Sequence, residues 1–362
     1  MLALVAGTLF VSISVMAGDG TKENPYTVSE LNAQKEALAA SGNTVWVKAD
    51  LKGLGEDGTK TDNATVDNVK QLAGLFGDET GTFVAYSWQI LGELVLNELT
   101  NTQNLLIALT YGTTAHPYGN QQNPQYASNY EPTEAHFSLV EVHNALQVNI
   151  ANGLRGYHFS ACLVIPKNVI AVKVSAGYKS GAPAYVNYTN YDGADAEYVL
   201  PKDGPFVLMA VPGTYDFALG TALYDQTLTN GNYLNAGTQA GVNAGTTKNR
   251  ARFRFVNDGI KAGFERNSDE NCTVTLQSKD EVYLQVSSLD NNFYGNFPWE
   301  TEAKNWITWE GKQYGDFHDL SGISTVPAAA KSAEAIYSLQ GVRLNKMQSG
   351  INIVNGKKVV VR

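Results

Sequence analysis

The chain has 362 residues and a formal net charge of −9, set by 35 Asp and Glu against 26 Lys and Arg. With no basic cluster ahead of its last residues, that balance repels a phosphate backbone and excludes nucleic acid as a partner. The 34 glycines and 19 tyrosines, with few long helical patterns, exclude a helical bundle and point to a mainly β chain.

Residues 2–17 carry no charge and mix Leu, Val, Ala, Phe and Ile with small residues. About sixteen such residues fall short of the roughly 20 that a spanning helix requires, and they suit a signal peptide. Val15 and Ala17 stand at −3 and −1 of a cleavage before Gly18, so residues 1–17 are read as the signal. No cysteine follows the apolar run, which argues against a lipid anchor there. Nothing downstream is comparably apolar, so the mature chain is expected to lack a transmembrane span. Its expected place is the periplasm, the outer-membrane surface or the medium. Cys162 and Cys272 are too few for a disulfide framework; pairing and two buried thiols both stay open.

Residues 18–115 read as a small OB-like or α+β domain. Thr27 and Glu30 form a capping box for a helix over about 28–40, ended by Gly42. A strand over 44–49 follows, with Val45 and Val47 on one side and Trp46 and Lys48 on the other. The phrase Gly20-Thr21-x-x-Asn24-Pro25-Tyr26-Thr27-Val28, a helix, then Val45-Trp46-Val47-Lys48 resembles an uncharacterised OB-like domain of Bacteroidetes secreted proteins. The match runs from Gly18 to about Gly55. The resemblance implies export and a small barrel entered by the strand after the helix, and it implies no reaction. From 59 to 114 the pattern is mixed, with apolar runs at 83–91, 94–96 and 105–109.

Residues 116–134, rich in Pro, Asn, Gln and Tyr, read as a linker. Residues 135–320 read as a β-sandwich-like or barrel domain, because short strands recur between turns. They fall at 137–142, 146–150, 159–165, 169–174, 184–188, 197–200, 206–211, 215–224, 251–256, 272–276 and 282–286.

The chain lacks a P-loop, a GxSxG elbow, an HExxH helix and a dinucleotide GxGxxG, and no cofactor is expected. Glu134-x-His136 and Glu141-x-His143 are metal-like pairs, since side chains two apart on a strand share a face, and His158 offers a third imidazole. The alternative is that they are ordinary edge residues. Carboxylates for glycoside hydrolysis occur as Asp192, Asp195 and Glu197, and as Glu310, Asp316 and Asp319, although turns explain most of them. Aromatic residues crowd 293–317; Trp299, Trp306, Trp309 and Tyr314 are the candidate ligand-binding residues, as a platform on which a sugar ring stacks. Trp306 and Trp309 are three apart, so a strand sends them to opposite faces and one belongs to the core.

Residues 321–334 read as a second linker, and 335–362 as a β-hairpin tail in which Asn355-Gly356 turns between 351–354 and 357–361. Ile336-Tyr337-x-Leu339-x-Gly341-x-Arg343, Gly350-Ile351-x-Ile353 and Gly356-Lys357-Lys358-Val359-Val360-Val361 resemble the end of the type IX (Por) sorting domain of Bacteroidetes surface proteins. The resemblance implies export machinery as a partner of the tail. These features lead to an exported envelope protein that binds an extracellular ligand such as a glycan, without catalysis. A secreted polysaccharide or peptide hydrolase, and a structural subunit of a surface assembly, are the alternatives.

Overall fold

The computed structural model describes residues 17–63, 72–113, 135–177, 185–221, 228–237, 243–244, 250–265, 274–275, 281–287, 306–311, 316, 336–338, 343–344, 350–354 and 357–361. Cys272, both expected linkers and residues 1–16 lie outside them. The chain is mainly β and divides into two compact units, Met1–Lys312 and Gln313–Arg362.

Thr27 opens α1 (Val28–Ala33) with the expected capping box: its hydroxyl accepts the Glu30 N–H, and the Glu30 carboxylate accepts the Thr27 N–H. The single helix expected over 28–40 is broken at Gln34, after which α2 (Lys35–Ser41) ends on Gly42 at φ +64°. That left-handed cap lets the Gly42 N–H bond the Leu38 carbonyl, an acceptor left over at the helix end. The pair buries Val28, Leu31 and Leu38.

Strand β1 (Val45–Leu54) is followed by β2 (Ala73–Asp78), β3 (Gly81–Tyr86), α3 (Trp88–Leu91), β4 (Leu105–Gly112) and β5 (His136–His143). β1 is long enough to serve two neighbours. Val45 to Ala49 pair with β4, and Asp50 to Leu54 pair with β2. β2 then pairs with β3, β3 runs parallel to β5, and β5 returns to β4. The closed order β1-β2-β3-β5-β4 makes a five-stranded barrel. Its fifth stave lies beyond residues 116–134, so the two domains expected on either side of that segment share one sheet.

Alternate residues of each stave point inward, and Val45, Val47, Ala49, Leu105, Ile107 and Leu109 are all buried at the β1–β4 seam. Opposite them the rings of Phe76 and Phe83 stack at 5.4 Å, and Phe137 meets Phe83 edge-on at 5.4 Å. Three phenyl rings thus bridge β2, β3 and β5. Gly53, beside an irregularity in the β1–β2 register, allows the loop that follows β1 to fold back tightly. A Cβ there would stand 1.9 Å from the Gly58 carbonyl oxygen.

β5 carries a bulge. Leu109 of β4 faces Leu139, but Ala108 faces Glu141, leaving Val140 as the extra residue. Before the bulge Phe137 and Leu139 point inward; after it Val142 does, so Glu141 and His143 face outward. The bulge also changes the partner of β5. Phe137 and Ser138 pair with β3, whereas Glu141 and Val142 pair with a strand from far down the chain.

That strand belongs to the continuation: β6 (Gln147–Ile150), β7 (Leu154–Tyr157), β8 (Leu163–Val164), β9 (Ile170–Gly177), β10 (Tyr185–Asp192), β11 (Val199–Leu200), β12 (Phe206–Met209), β13 (Gly213–Asp216) and β14 (Ala218–Gly220). β14 pairs with β5 and leads to β8 and β11, extending the barrel sheet. β10-β9-β12-β7 form a second sheet, and β13 pairs with β6. Of the strand expected over 159–165 only β8 forms, and Cys162 before it is buried.

A further sheet has the order β15-β20-β17-β18-β21, built from β15 (Leu234–Ala236), β17 (Arg250–Asn257), β18 (Ala262–Glu265), β20 (Val282–Ser287) and β21 (Trp306–Thr308). Between these, β16 (Asn243–Ala244) pairs with β19 (Val274–Thr275). The β17 sheet packs on the β7 sheet: Trp309 meets Tyr188 of β10 at 4.3 Å, and the Tyr233 N–H donates to the Val174 carbonyl at 2.7 Å.

The second unit holds one sheet, β23-β22-β24-β25, from β22 (Ile336–Ser338), β23 (Arg343–Leu344), β24 (Gly350–Val354) and β25 (Lys357–Val361). Val354 stands opposite Lys357, the register of a hairpin with a two-residue connection.

The barrel rings set its stability. Phe83→Ala removes the middle ring and is expected to cost about 3–5 kcal/mol, a large share of the roughly 5–15 kcal/mol that holds a typical domain. Urea denaturation should show the midpoint falling with an unchanged slope.

Candidate functional site

The bulge brings Glu141 and His143 to one outer face, as the sequence spacing predicts, and there they bond each other. His143 Nε2 lies 2.6 Å from Glu141 Oε1, and Nδ1 lies 3.3 Å from Asp216 Oδ2 of β13. The other Asp216 oxygen accepts the Asn144 N–H at 3.0 Å, which fixes the carboxylate. Lys22 reaches over from the N-terminal loop, 4.7 Å above the Trp46 ring and 3.1 Å from Nε2. Burial opposes charge on the imidazole, but the hydrogen bonds to Asp216 and Glu141 outweigh it and raise its pKa. The same bond to His143 lowers the pKa of Glu141 against the cost of burial. Both ring nitrogens therefore face carboxylates, which is an ion-pair network and not a ligand set.

The two metal-like pairs do not converge. His136 sits at the other end of β5, edge-on to Tyr86 at 5.7 Å. Seven residues of strand separate it from His143 by roughly 23 Å. Glu134 lies outside the described residues. Among the described residues no group of three or more His, Cys, Asp or Glu is placed to hold a metal ion.

Nor do the carboxylates expected from sequence form a cleft. Asp192 is buried, and its carboxylate accepts the Ala194 N–H at 2.9 Å, closing the turn after β10. Asp195, Glu197 and Glu310 are exposed, Asp316 belongs to the second unit, and Asp319 lies outside the described residues. A different acidic group, scattered in sequence, does assemble. Glu93 follows α3, Glu98 ends the 3-10 turn Leu96–Glu98, and Asp203 sits between β11 and β12 at φ +55°. Ser160 donates to Glu98, and Lys202 pairs with Glu93 at 2.7 Å. Burial of the carboxyl, then the Glu93 charge, push Asp203 up to about 6 despite the nearby Lys202. Glu93 and Asp203 are close enough for the Glu93 carboxylate to act on Asp203. Glycoside hydrolysis requires a gap of roughly 5–9 Å between two carboxyl groups. Here Glu93 is instead tied up by Lys202 and Glu98 by Ser160.

The aromatic platform is corrected in part. Trp309 is 7% exposed and packs against Tyr188, Phe255 and Phe264, so it belongs to the core and offers no stacking face. Trp306 stands on the other side of β21, with Lys261 Nζ 4.1 Å over its ring and its indole N–H donated to Thr308. Trp299 and Tyr314 lie outside the described residues.

What the sequence reading missed is a cleft of about 210 Å³ where β7 meets β17 and β20. Arg155 and Gly156 of β7, Phe255 and Asn257 of β17, and Glu281 and Val282 line it. Gly156 permits the approach of the two sheets, because a Cβ would lie 2.6 Å from Val282 Cγ2 and 3.1 Å from Phe255 Cδ1. Arg155 is steadied over Tyr157 at 5.0 Å and donates to the Asn149 carbonyl at 3.0 Å. The Asn257 amide donates to the carbonyls of Leu154 and Asn152, and Asn152 donates back to the Asn257 carbonyl. The ladder alternates: Gly153 accepts from Ala210 on the β12 side, so Leu154 and Gly156 direct their backbone groups toward Asn257 and the cleft. A guanidinium, a carboxylate and an amide thus line a mainly polar cleft beside Phe255, whose ring packs on Phe264 and Trp309. Hydroxyl groups of a ligand can hydrogen-bond these three. Pockets for whole small molecules measure roughly 300–1,000 Å³, so this cleft suits one unit of a longer ligand.

Two pH effects follow. The raised His143 contributes fully below its ordinary pKa of 6.5 and loses that contribution as pH rises through the folded value. The lowered Glu141 contributes above 4.5 and loses it as pH falls through its folded value. The Tm gap between the native chain and His143→Gln should therefore be widest between about pH 4.5 and 6.5. Asp203 behaves oppositely at neutral pH, where its ionised carboxyl strains the fold. Asp203→Asn should raise Tm above pH 6 and give no gain as pH approaches 3.8. Although its carboxyl is partly desolvated, Asp203 as a whole residue is exposed, and solvent screening keeps the gain small.

Compared with protein families, curated proteins and solved structures, the chain matches none, and its candidate site stands on its own chemistry.

Proposed function

We propose that this chain is an exported, envelope- or surface-associated protein that binds an extracellular glycan without acting on it. The cleft at Arg155, Asn257 and Glu281 carries the reading, since it gathers charged and neutral hydrogen-bonding groups in a mainly polar space at the scale of a single sugar unit. The OB-like barrel adds support by analogy of architecture, because such barrels bind oligosaccharides and oligonucleotides across the outer face of their second and third strands. Here that face carries Leu75, Val84 and Tyr86, whose hydroxyl donates to Glu56 at 2.7 Å. The net charge of −9 favours the sugar over the nucleotide.

Membership in the Bacteroidetes OB-like family and use of the type IX tail belong to the same proposal. The barrel connectivity and the four-stranded tail sheet are compatible with them. Among the described residues no helix is long and apolar enough to cross a membrane.

A glycan array probed with residues 18–362 tests the reading directly. A defined set of polysaccharides should bind, and Arg155→Ala should weaken them by roughly 10- to 100-fold, the loss of one hydrogen bond to a charged group. A chain that binds no carbohydrate at all sinks the reading.

A further inference from the structure

Gly18, the residue after the expected cleavage point, is already seated in the fold. Its backbone N–H donates to Glu30 Oε1 at 3.1 Å, while Glu30 Oε2 accepts the Thr27 N–H at 2.8 Å and the Thr27 hydroxyl at 2.9 Å. Gly18 has no room for a side chain, since a Cβ would stand 2.4 Å from the Pro25 carbonyl oxygen. The neighbouring Tyr26 is tied to β1 in both directions, donating to the Trp46 carbonyl at 2.9 Å and accepting the Lys48 N–H at 3.1 Å. The nitrogen of Gly18 and the carboxylate of Glu30 are thus held facing each other by parts of the barrel itself.

We propose that cleavage before Gly18 makes this nitrogen the α-ammonium group of the mature chain, and that Glu30 receives it as a ready-made ion-pair partner. The proposal rests on the export reading given above. A signal peptidase of the export route adds water across the Ala17–Gly18 bond. The water oxygen goes to the Ala17 carboxylate, and the Gly18 nitrogen leaves as an amine that takes up a proton. An amide N–H···carboxylate bond becomes an ammonium–carboxylate ion pair without any movement of the chain. The other charged groups nearby are Asp19, held by Thr21, and Asp78, which accepts the Val28 N–H; both are carboxylates and favour the new cation. Lys22 of the same loop is directed to Trp46 and His143. Processing therefore strengthens the tie between the mature N-terminus and the first turn of α1, which in the precursor is a hydrogen bond from a neutral amide.

The test compares residues 18–362 with a free amine against the same chain acetylated at that amine alone. The acetyl carbonyl takes the place of the Ala17 carbonyl, so only the charge differs. The free amine should melt higher by about 1–3 °C near pH 7. An α-amino group titrates near 7.7–8.0 in an unfolded chain, and pairing raises that value. The gap should therefore be full between about pH 4.5 and 8, closing as pH rises through the folded amine value and as it falls through the lowered Glu30 value. In Glu30→Gln, which keeps the capping box, the gap should vanish. Equal melting at every pH, or a gap that survives Glu30→Gln, overturns the ion pair. Sequencing the exported chain addresses the reading beneath it. A first residue of Gly18 supports the cleavage step and any other first residue overturns it, whatever the melting comparison gives.

Discussion

The first unit depends on a single extra residue in one strand. At Val140 the fifth stave stops pairing with β3 and begins pairing with β14, so one strand both closes the barrel and opens the sheet beyond it. A regular strand of this length would turn Glu141 and His143 into the barrel, where an imidazole and a carboxylate would sit among Val47, Ile107 and Leu139. The bulge moves the two charged groups outward and keeps Val142 inside. The Val140 carbonyl, displaced from the ladder, accepts the Thr221 N–H at 3.1 Å just past β14. Closure, continuation and the outer ion-pair network are consequences of that one irregularity.

Charged groups show how position decides role here. Glu141, His143 and Asp216 lie on strands, each satisfied by a partner of opposite charge or by a backbone donor. Glu93 and Asp203 lie on loops and meet as like charges, with Lys202 beside them. The first group binds elements together; the second holds a proton at a pH where an isolated carboxyl has lost it. In the cleft, the backbone of β7 is as important as its side chains. The glycine that brings two sheets together also leaves its own N–H and C=O facing the opening.

Much of the fold was legible in the chain because local rules dictate it. The capping box at Thr27 and Glu30 and the two-residue register between Val354 and Lys357 are fixed within a few residues, and both appear as expected. The alternation that separated Trp306 from Trp309 correctly assigned one indole to the core. The misses arise where partners are distant. β7, at Leu-Arg-Gly-Tyr, has no clear alternation, and β2 reads as glycine and alanine until Phe76 fills the barrel. The helix over 28–40 breaks at Gln34 because α1 packs toward β3 and α2 toward β4, an arrangement no local pattern specifies. The cleft was invisible for the same reason: Arg155, Phe255 and Glu281 are about a hundred residues apart or more, counting from the first. Only the packing of two sheets makes them neighbours.

The late position of the fifth stave has a bearing on how the chain emerges from the ribosome. β1 to β4 are complete by Gly112, but they have no closing neighbour until His136–His143 follows. For that interval the edges of β3 and β4 stay open, and the Phe83 ring lacks its partner on β5. Contacts so remote in sequence form slowly. On the export route proposed above, that delay would keep the chain threadable, since an incomplete barrel can still be unfolded.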